Sequence, residues 1–159
     1  MLKKPEKLHS GDKIGIVVPS SPVREPFRSK GLQRVSELGY VPVEARDILA
    51  ANGFVAKPAE DNIRDIQSFW ENLDIKAIWA ARGGYGSNHL LPFLNHLEIP
   101  APKIFIGSSD VSYLLWHLME RFKMVVFYGP MAYASMAENR VNTGQLQEIL
   151  SGRYSEMCI

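Results

Sequence analysis

Two glycine-containing segments carry residue types and spacings suited to chemistry. The first is Gly107-Ser108-Ser109-Asp110, which follows the apolar run KIFI and precedes an amphipathic stretch. A serine on a sharp strand-to-helix turn is the geometry of a nucleophile elbow. Such a turn lifts the hydroxyl above the sheet edge. The free N–H groups that open the next helix can then bind an oxyanion. The full G-x-S-x-G pattern has a second glycine where this chain has Val111, so the match is partial. Ser108 or Ser109 as a plain helix cap is the competing reading, and spacing alone favours the cap.

The second segment is Arg82-Gly83-Gly84-Tyr85-Gly86-Ser87, after the apolar run KAIWAA. Its glycines permit positive φ and let a ligand approach the backbone closely. An N–H donor site for an oxyanion and a phosphate cradle both fit. A Walker loop does not, because no lysine follows. A ligand-free βα turn ordinarily needs one glycine, so function is weighed slightly ahead here.

Other candidates are weaker. His117 lies about 12 Å along a helix from Ser109, too far to serve it directly as base. It reads as a surface or core-edge histidine. His89 follows the glycine loop and can face the same pocket. His9 precedes the first strand, at the end where parallel sheets do not bind ligands. His96 has no placement argument. Trp70, Trp79 and Trp116 are expected in the core. Asp110 can position substrate, although an acid in a first helical turn is common without function. No His, Cys, Asp and Glu cluster has metal-ligand spacing.

The elements that must position these groups follow from periodicity. Strands are expected at 13–20, 40–44, 76–81, 103–108 and 124–128. Helices are expected at 28–38, 60–73, 87–97, 110–122 and 142–150. The 60–73 helix should present Ile63, Ile66, Phe69, Trp70 and Leu73 on one face. Gly39 should occupy the C′ position of the first helix. Pro92 must sit in the first turns of the 87–97 helix or kink it. Apolar strands alternating with helices imply an α/β fold, a parallel sheet covered on both faces.

Composition bounds the rest. The 159 residues carry 18 Lys and Arg against 17 Asp and Glu, a net charge of +1, and one cysteine, Cys158. That balance argues against nucleic-acid binding. A single cysteine excludes an internal disulfide framework and fits a reducing compartment. No apolar run reaches the length of a membrane span, and the start lacks a signal-peptide pattern. A cytoplasmic location is expected.

The chain resembles the N-terminal half of the LD-carboxypeptidases, the serine peptidases that include muramoyltetrapeptide carboxypeptidases and microcin C self-immunity peptidases. The matching stretches occur in the family's order. They are Val18-Pro19-Ser20-Ser21-Pro22, Glu60-Asp61-Asn62, Lys76-Ala77-Ile78 through Ser87, Leu90-Leu91-Pro92, Pro102 to Gly107 with Ser109-Asp110, and Phe127-Tyr128-Gly129-Pro130-Met131. The resemblance implies a flavodoxin-like or class I glutamine amidotransferase-like sheet and a Ser–Glu–His triad. It places the nucleophile at Ser109 and the oxyanion hole at the backbone N–H groups of Asp110 and Gly84. Arg82, Gly83, Tyr85, Gly86 and His89 would line the pocket.

The implied reaction is hydrolysis of the amide bond to a terminal D-amino acid in murein tetrapeptides, as in peptidoglycan recycling. Neither cofactor nor metal is implied. The partner would be a small peptide, with a homodimer compatible. Four positions depart from the family's usual residues: Ser108 for Tyr or Phe, Ser112 for Thr, His89 for Arg, and Tyr128 for His. The family's triad Glu and His lie in a C-terminal domain. Residues 1–159 are therefore expected to form only the nucleophile-bearing domain, with that second domain absent and the chain inactive by itself. A catalytically silent module that binds a small peptide or a partner chain is the rival expectation.

Overall fold

The computed structural model describes residues 1–138 and 141–153. Five strands form one parallel sheet: β1 Lys13–Val17, β2 Val41–Glu44, β3 Ile75–Ala80, β4 Ile104–Gly107 and β5 Phe127–Tyr128. Their order is β2-β1-β3-β4-β5. The helices are α1 Phe27–Glu37, α2 Ala59–Glu71, the single turn α3 Leu91–Leu94, α4 Ser112–Phe122 and α5 Thr143–Leu150. Right-handed crossovers in this order put α1 on one face and α2, α3 and α4 on the other. Winding reverses direction at β1, so the crevice between the β1 and β3 exits is the switch point where such sheets take ligands. The α/β class and the doubly wound order thus agree with the expected flavodoxin-like sheet.

Buried β-branched and aromatic residues explain the strands. Ile14, Ile16, Ile78, Trp79 and Phe105 are fully buried, as a sheet covered on both faces requires. The Trp70 ring from α2 stacks on Phe105, with centroids 5.7 Å apart. The Trp70 indole N–H donates to the Ala101 carbonyl at 3.0 Å, and that of Trp79 to the Pro130 carbonyl at 2.6 Å. Each buried tryptophan thereby keeps its polar edge satisfied. Gly39 follows α1 at φ +86, and its N–H donates to the Ser36 carbonyl, the expected helix stop. Asn142 caps α5 by accepting the Gln145 N–H at 3.1 Å.

Three expectations are corrected. Residues 87–97 do not form one helix. A 3₁₀ turn at Ser87–Leu90 is followed by the one-turn α3, with Pro92 at its start. Leu73 is 79% exposed, because α2 ends at Glu71 and Asn72 turns extended at ψ 110. Trp116 is 61% exposed rather than in the core. Leu114, Leu115 and Leu118 take the buried face of α4, and Trp116 lies off that stripe.

His117 sits at the core edge on α4, with Nε2 buried and unpartnered among the described residues. Its ring meets Phe122 edge-on at 6.1 Å. Burial holds its pKa below the usual 6.5, a hydrogen bond to the Leu94 backbone acts the other way, and Arg121 reinforces the lowering. A histidine with a depressed folded pKa stabilises fully above 6.5, and that contribution is lost as pH falls below it. Denaturant midpoints between pH 7.5 and 5 should therefore fall more steeply for the wild type than for His117→Leu. Parallel curves would refute this.

Candidate active site

The exits of β1, β3 and β4 meet at one sheet edge and are tied together by one side chain. The Ser20 hydroxyl, after β1, donates to Asp110 Oδ2 at 2.7 Å. The Ser87 backbone N–H, after β3, donates to the same oxygen at 2.8 Å. The Ser87 hydroxyl donates back to the Asp110 carbonyl. Ser20 and Ser87 are both buried. Bonds to an ionised carboxylate are among the stronger protein hydrogen bonds. The Asp110 carboxylate, open at first to a substrate-positioning role, is thus engaged inside the fold.

That anchor sets up the neighbouring turn. Ser109 lies between β4 and α4 at φ +54, a region that side chains other than glycine rarely occupy. Its side chain is exposed, and its hydroxyl has no hydrogen-bond partner among the described residues. A 3₁₀ turn, Ser109–Val111, leads into α4, so the Asp110 N–H stands where helical donors lack an intrahelical acceptor. The Ser109 N–H points at the Tyr128 hydroxyl across a long 3.5 Å.

The glycine loop passes directly beside this serine. A Cβ on Gly83 would stand 3.0 Å from Ser109 Cβ and 3.2 Å from its Oγ, so any larger residue there crowds the hydroxyl. Gly84, at φ +117, instead packs against the Ser21 hydroxyl. That hydroxyl also accepts the Tyr85 N–H at 3.0 Å. The Arg82 side chain spans the loop base. Its Nη1 donates to the Pro22 carbonyl at 3.0 Å and its Nε to the Gly83 carbonyl at 3.2 Å.

Gly86, at φ +127, lies over Val55. Tyr85 and His89 pair with each other at the surface. The phenol oxygen is 3.1 Å from His89 Nε2, and the rings meet edge-on at 5.3 Å. His9 lies beyond the opposite end of the sheet, 3.8 Å from Asp12, and His96 is exposed after α3.

The structure therefore brings together Ser109, Asp110, Gly83 and the wall formed by Arg82 and Gly84. Reasoning from the sequence assigned no role to Ser20, Ser21 and Ser87. Their only local signal is a small polar residue directly after a buried strand or a glycine turn.

The fold and these exits define an α/β domain with its candidate site at the β3 and β4 exits, beside the sheet's switch point. A family model described as the LD-carboxypeptidase N-terminal domain matches residues 14–129. The murein tetrapeptide carboxypeptidase of Pseudomonas aeruginosa is 29% identical over 122 residues, covering 76% of this chain and 39% of that protein. The microcin C7 self-immunity protein MccF of Escherichia coli is 29% identical over 133 residues, covering 81% and 39%.

Among solved structures, wild-type MccF in its apo state superposes at a TM-score of 0.84, with 26% identity over 98% of this chain and 48% of that one. The chain belongs to the LD-carboxypeptidase N-terminal domain family. It spans less than half the length of these relatives. Among the described residues, no helix is long and apolar enough to cross a membrane.

Proposed function

We propose that this chain is the nucleophile-bearing half of a serine-type LD-carboxypeptidase that acts on the amide bond to a terminal D-amino acid of murein tetrapeptides, in cytoplasmic peptidoglycan recycling. Ser109 is the nucleophile. The N–H groups of Asp110 and of the 83–84 glycine pair, Gly84 first, hold the oxyanion. One observation carries the reading: the exposed Ser109 side chain sits at φ +54 directly against Gly83. The family membership and the murein-directed relative support the substrate class.

The attack requires a base. The Ser109 hydroxyl has no hydrogen-bond partner among the described residues, and His89 is paired with Tyr85. A serine hydroxyl without an adjacent base is a weak nucleophile. The triad Glu and His come from a further segment, and the 159-residue polypeptide alone turns over L,D-amides negligibly. Residual catalysis of roughly 10³–10⁴ over water is what a triad lacking members retains.

The test is D-alanine release from a murein tetrapeptide by the purified chain, beside Ser109→Ala and His89→Ala. No release by the chain alone, with release once a C-terminal half is supplied, is the expected result. Robust turnover abolished by both substitutions would instead make His89 the base.

A further inference from the structure

A groove of about 620 Å³ opens beside the candidate site. It is framed by Ser21, Arg24, Phe27, Leu49, Phe54 and Arg82. Its wall is continuous with the loop at Ser109, since Arg82 precedes Gly83 and Ser21 touches Gly84. Phe27, Leu49 and Phe54 are exposed at 42%, 44% and 83%, a large apolar area to leave in water.

The groove's charge is one-sided. No acidic residue lines it. Arg82 is fixed by the Pro22 and Gly83 carbonyls, which leaves its second terminal nitrogen, Nη2, without a partner among the described residues. The Arg24 guanidinium likewise has no hydrogen bond or ion pair among them. The neighbouring acids are already engaged. Glu25 binds Ser29 and Arg28, and Glu44 binds Arg28 and the Tyr133 hydroxyl. Arg24, Phe27 and Arg82 also line an adjoining cavity of about 130 Å³, whose one carboxylate among its lining residues is Glu138.

We propose that this groove is a subsite for an anionic group carried on a partly apolar small ligand. Arg82 supplies a preorganised donor, and the exposed Arg24 supplies the second. A planar guanidinium suits carboxylate and phosphate alike through paired N–H donors. Two sources present that chemistry: an acidic peptide with its carboxylates, and a nucleotide with its phosphate. The inference rests on the hydrolase reading only for the location of the reacting bond, because the groove's composition stands without it.

Calorimetric titration of the chain tests this without turnover. The probes are the murein tetrapeptide L-Ala-γ-D-Glu-diaminopimelate-D-Ala, the same peptide with every carboxylate amidated, and adenosine monophosphate. The expected result is binding of at least one anionic probe, with the amidated peptide roughly tenfold weaker or worse. Arg24→Gln should weaken the anionic probe about tenfold, and Arg24→Lys should recover part of that loss. Lys30→Gln, a charge loss on the exposed face of α1, should change it less than twofold.

Tighter binding of the tetrapeptide assigns the groove to a peptide carboxylate, and tighter binding of the nucleotide to a phosphate. Equal affinity for acid and amide, wild-type affinity in Arg24→Gln at an unchanged melting temperature, or no binding of any probe would each overturn the proposal. Arg24-dependent binding in a chain whose Ser109 proves dispensable for D-alanine release would overturn the nucleophile assignment alone.

Discussion

Ser109→Gly is expected to abolish D-alanine release and, at the same time, to make the chain more stable. With the base-bearing segment supplied, loss of the nucleophile should lower kcat by on the order of 10⁶, the scale seen when a triad serine is removed. The gain in stability has a separate cause. Ser109 sits at φ +54, where a Cβ costs of order 1 kcal/mol or more that glycine does not incur. Ser109→Gly should therefore raise the unfolding free energy by about 1 kcal/mol. Ser109→Ala, which keeps the Cβ, should leave stability near wild type while losing the same activity.

The pair of variants separates nucleophile from cap. A serine that merely capped α4 would cost stability on conversion to alanine and leave turnover intact. Ser108→Ala, at an extended residue with φ −159, should change kcat less than tenfold. Urea midpoints on the chain and D-alanine release in the complemented enzyme read the two effects independently. Unchanged stability in Ser109→Gly would mean that the turn stores no strain, and retained turnover would remove the nucleophile assignment.

The parts of the fold that one residue type announces were legible from the chain. Runs such as KIGIV and IFIG read as buried strands, because β-branched residues without polar alternation suit a sheet covered on both faces. Gly107-Ser108-Ser109-Asp110 read as a strand-to-helix turn for the same local reason. What the sequence hid depends on contacts across the sheet. Ser20 and Ser87 are unremarkable serines until the β2-β1-β3-β4-β5 order carries them to the Asp110 carboxylate.

The glycines of the loop divide their tasks by direction, not by spacing. Gly83 faces Ser109 and Gly84 faces Ser21, which no motif encodes. Trp116 reads as a core residue because it falls among apolar neighbours, but Leu114, Leu115 and Leu118 fill the buried face of α4 and leave it exposed. Arg24 was invisible because its groove is assembled from three separate segments around residues 21–27, 49–54 and 82.

The outer wall of that groove depends on one buried ion pair, and breaking it should produce the largest loss of stability. Lys57 is 6% exposed, and its ammonium donates to the Asp65 carboxylate on α2 and, at 2.8 Å, to the Arg46 carbonyl. The pair fastens the end of the 46–57 segment, which also hydrogen bonds to β1's exit through the Ala56 N–H and the Ser20 carbonyl at 2.9 Å. Val55 of the same segment packs under Gly86.

Asp65→Ala strands a buried ammonium with a single carbonyl partner. Removing one member of a buried pair costs about 3–5 kcal/mol, because the remaining charge stays desolvated. The double variant Lys57→Met with Asp65→Leu removes both charges and fills the space with apolar volume. It should therefore recover most of that loss, and the two substitutions should be strongly non-additive. Asp65→Ala should also weaken the anionic probe in the groove, since Leu49 and Phe54 sit on the segment it loosens. Urea midpoints for Lys57→Met, Asp65→Leu and the double variant complete the cycle, with Asp65→Ala reading the stranded ammonium alone. Additive losses would show that Lys57 and Asp65 are each solvated independently, and that the segment is held by its backbone bonds alone.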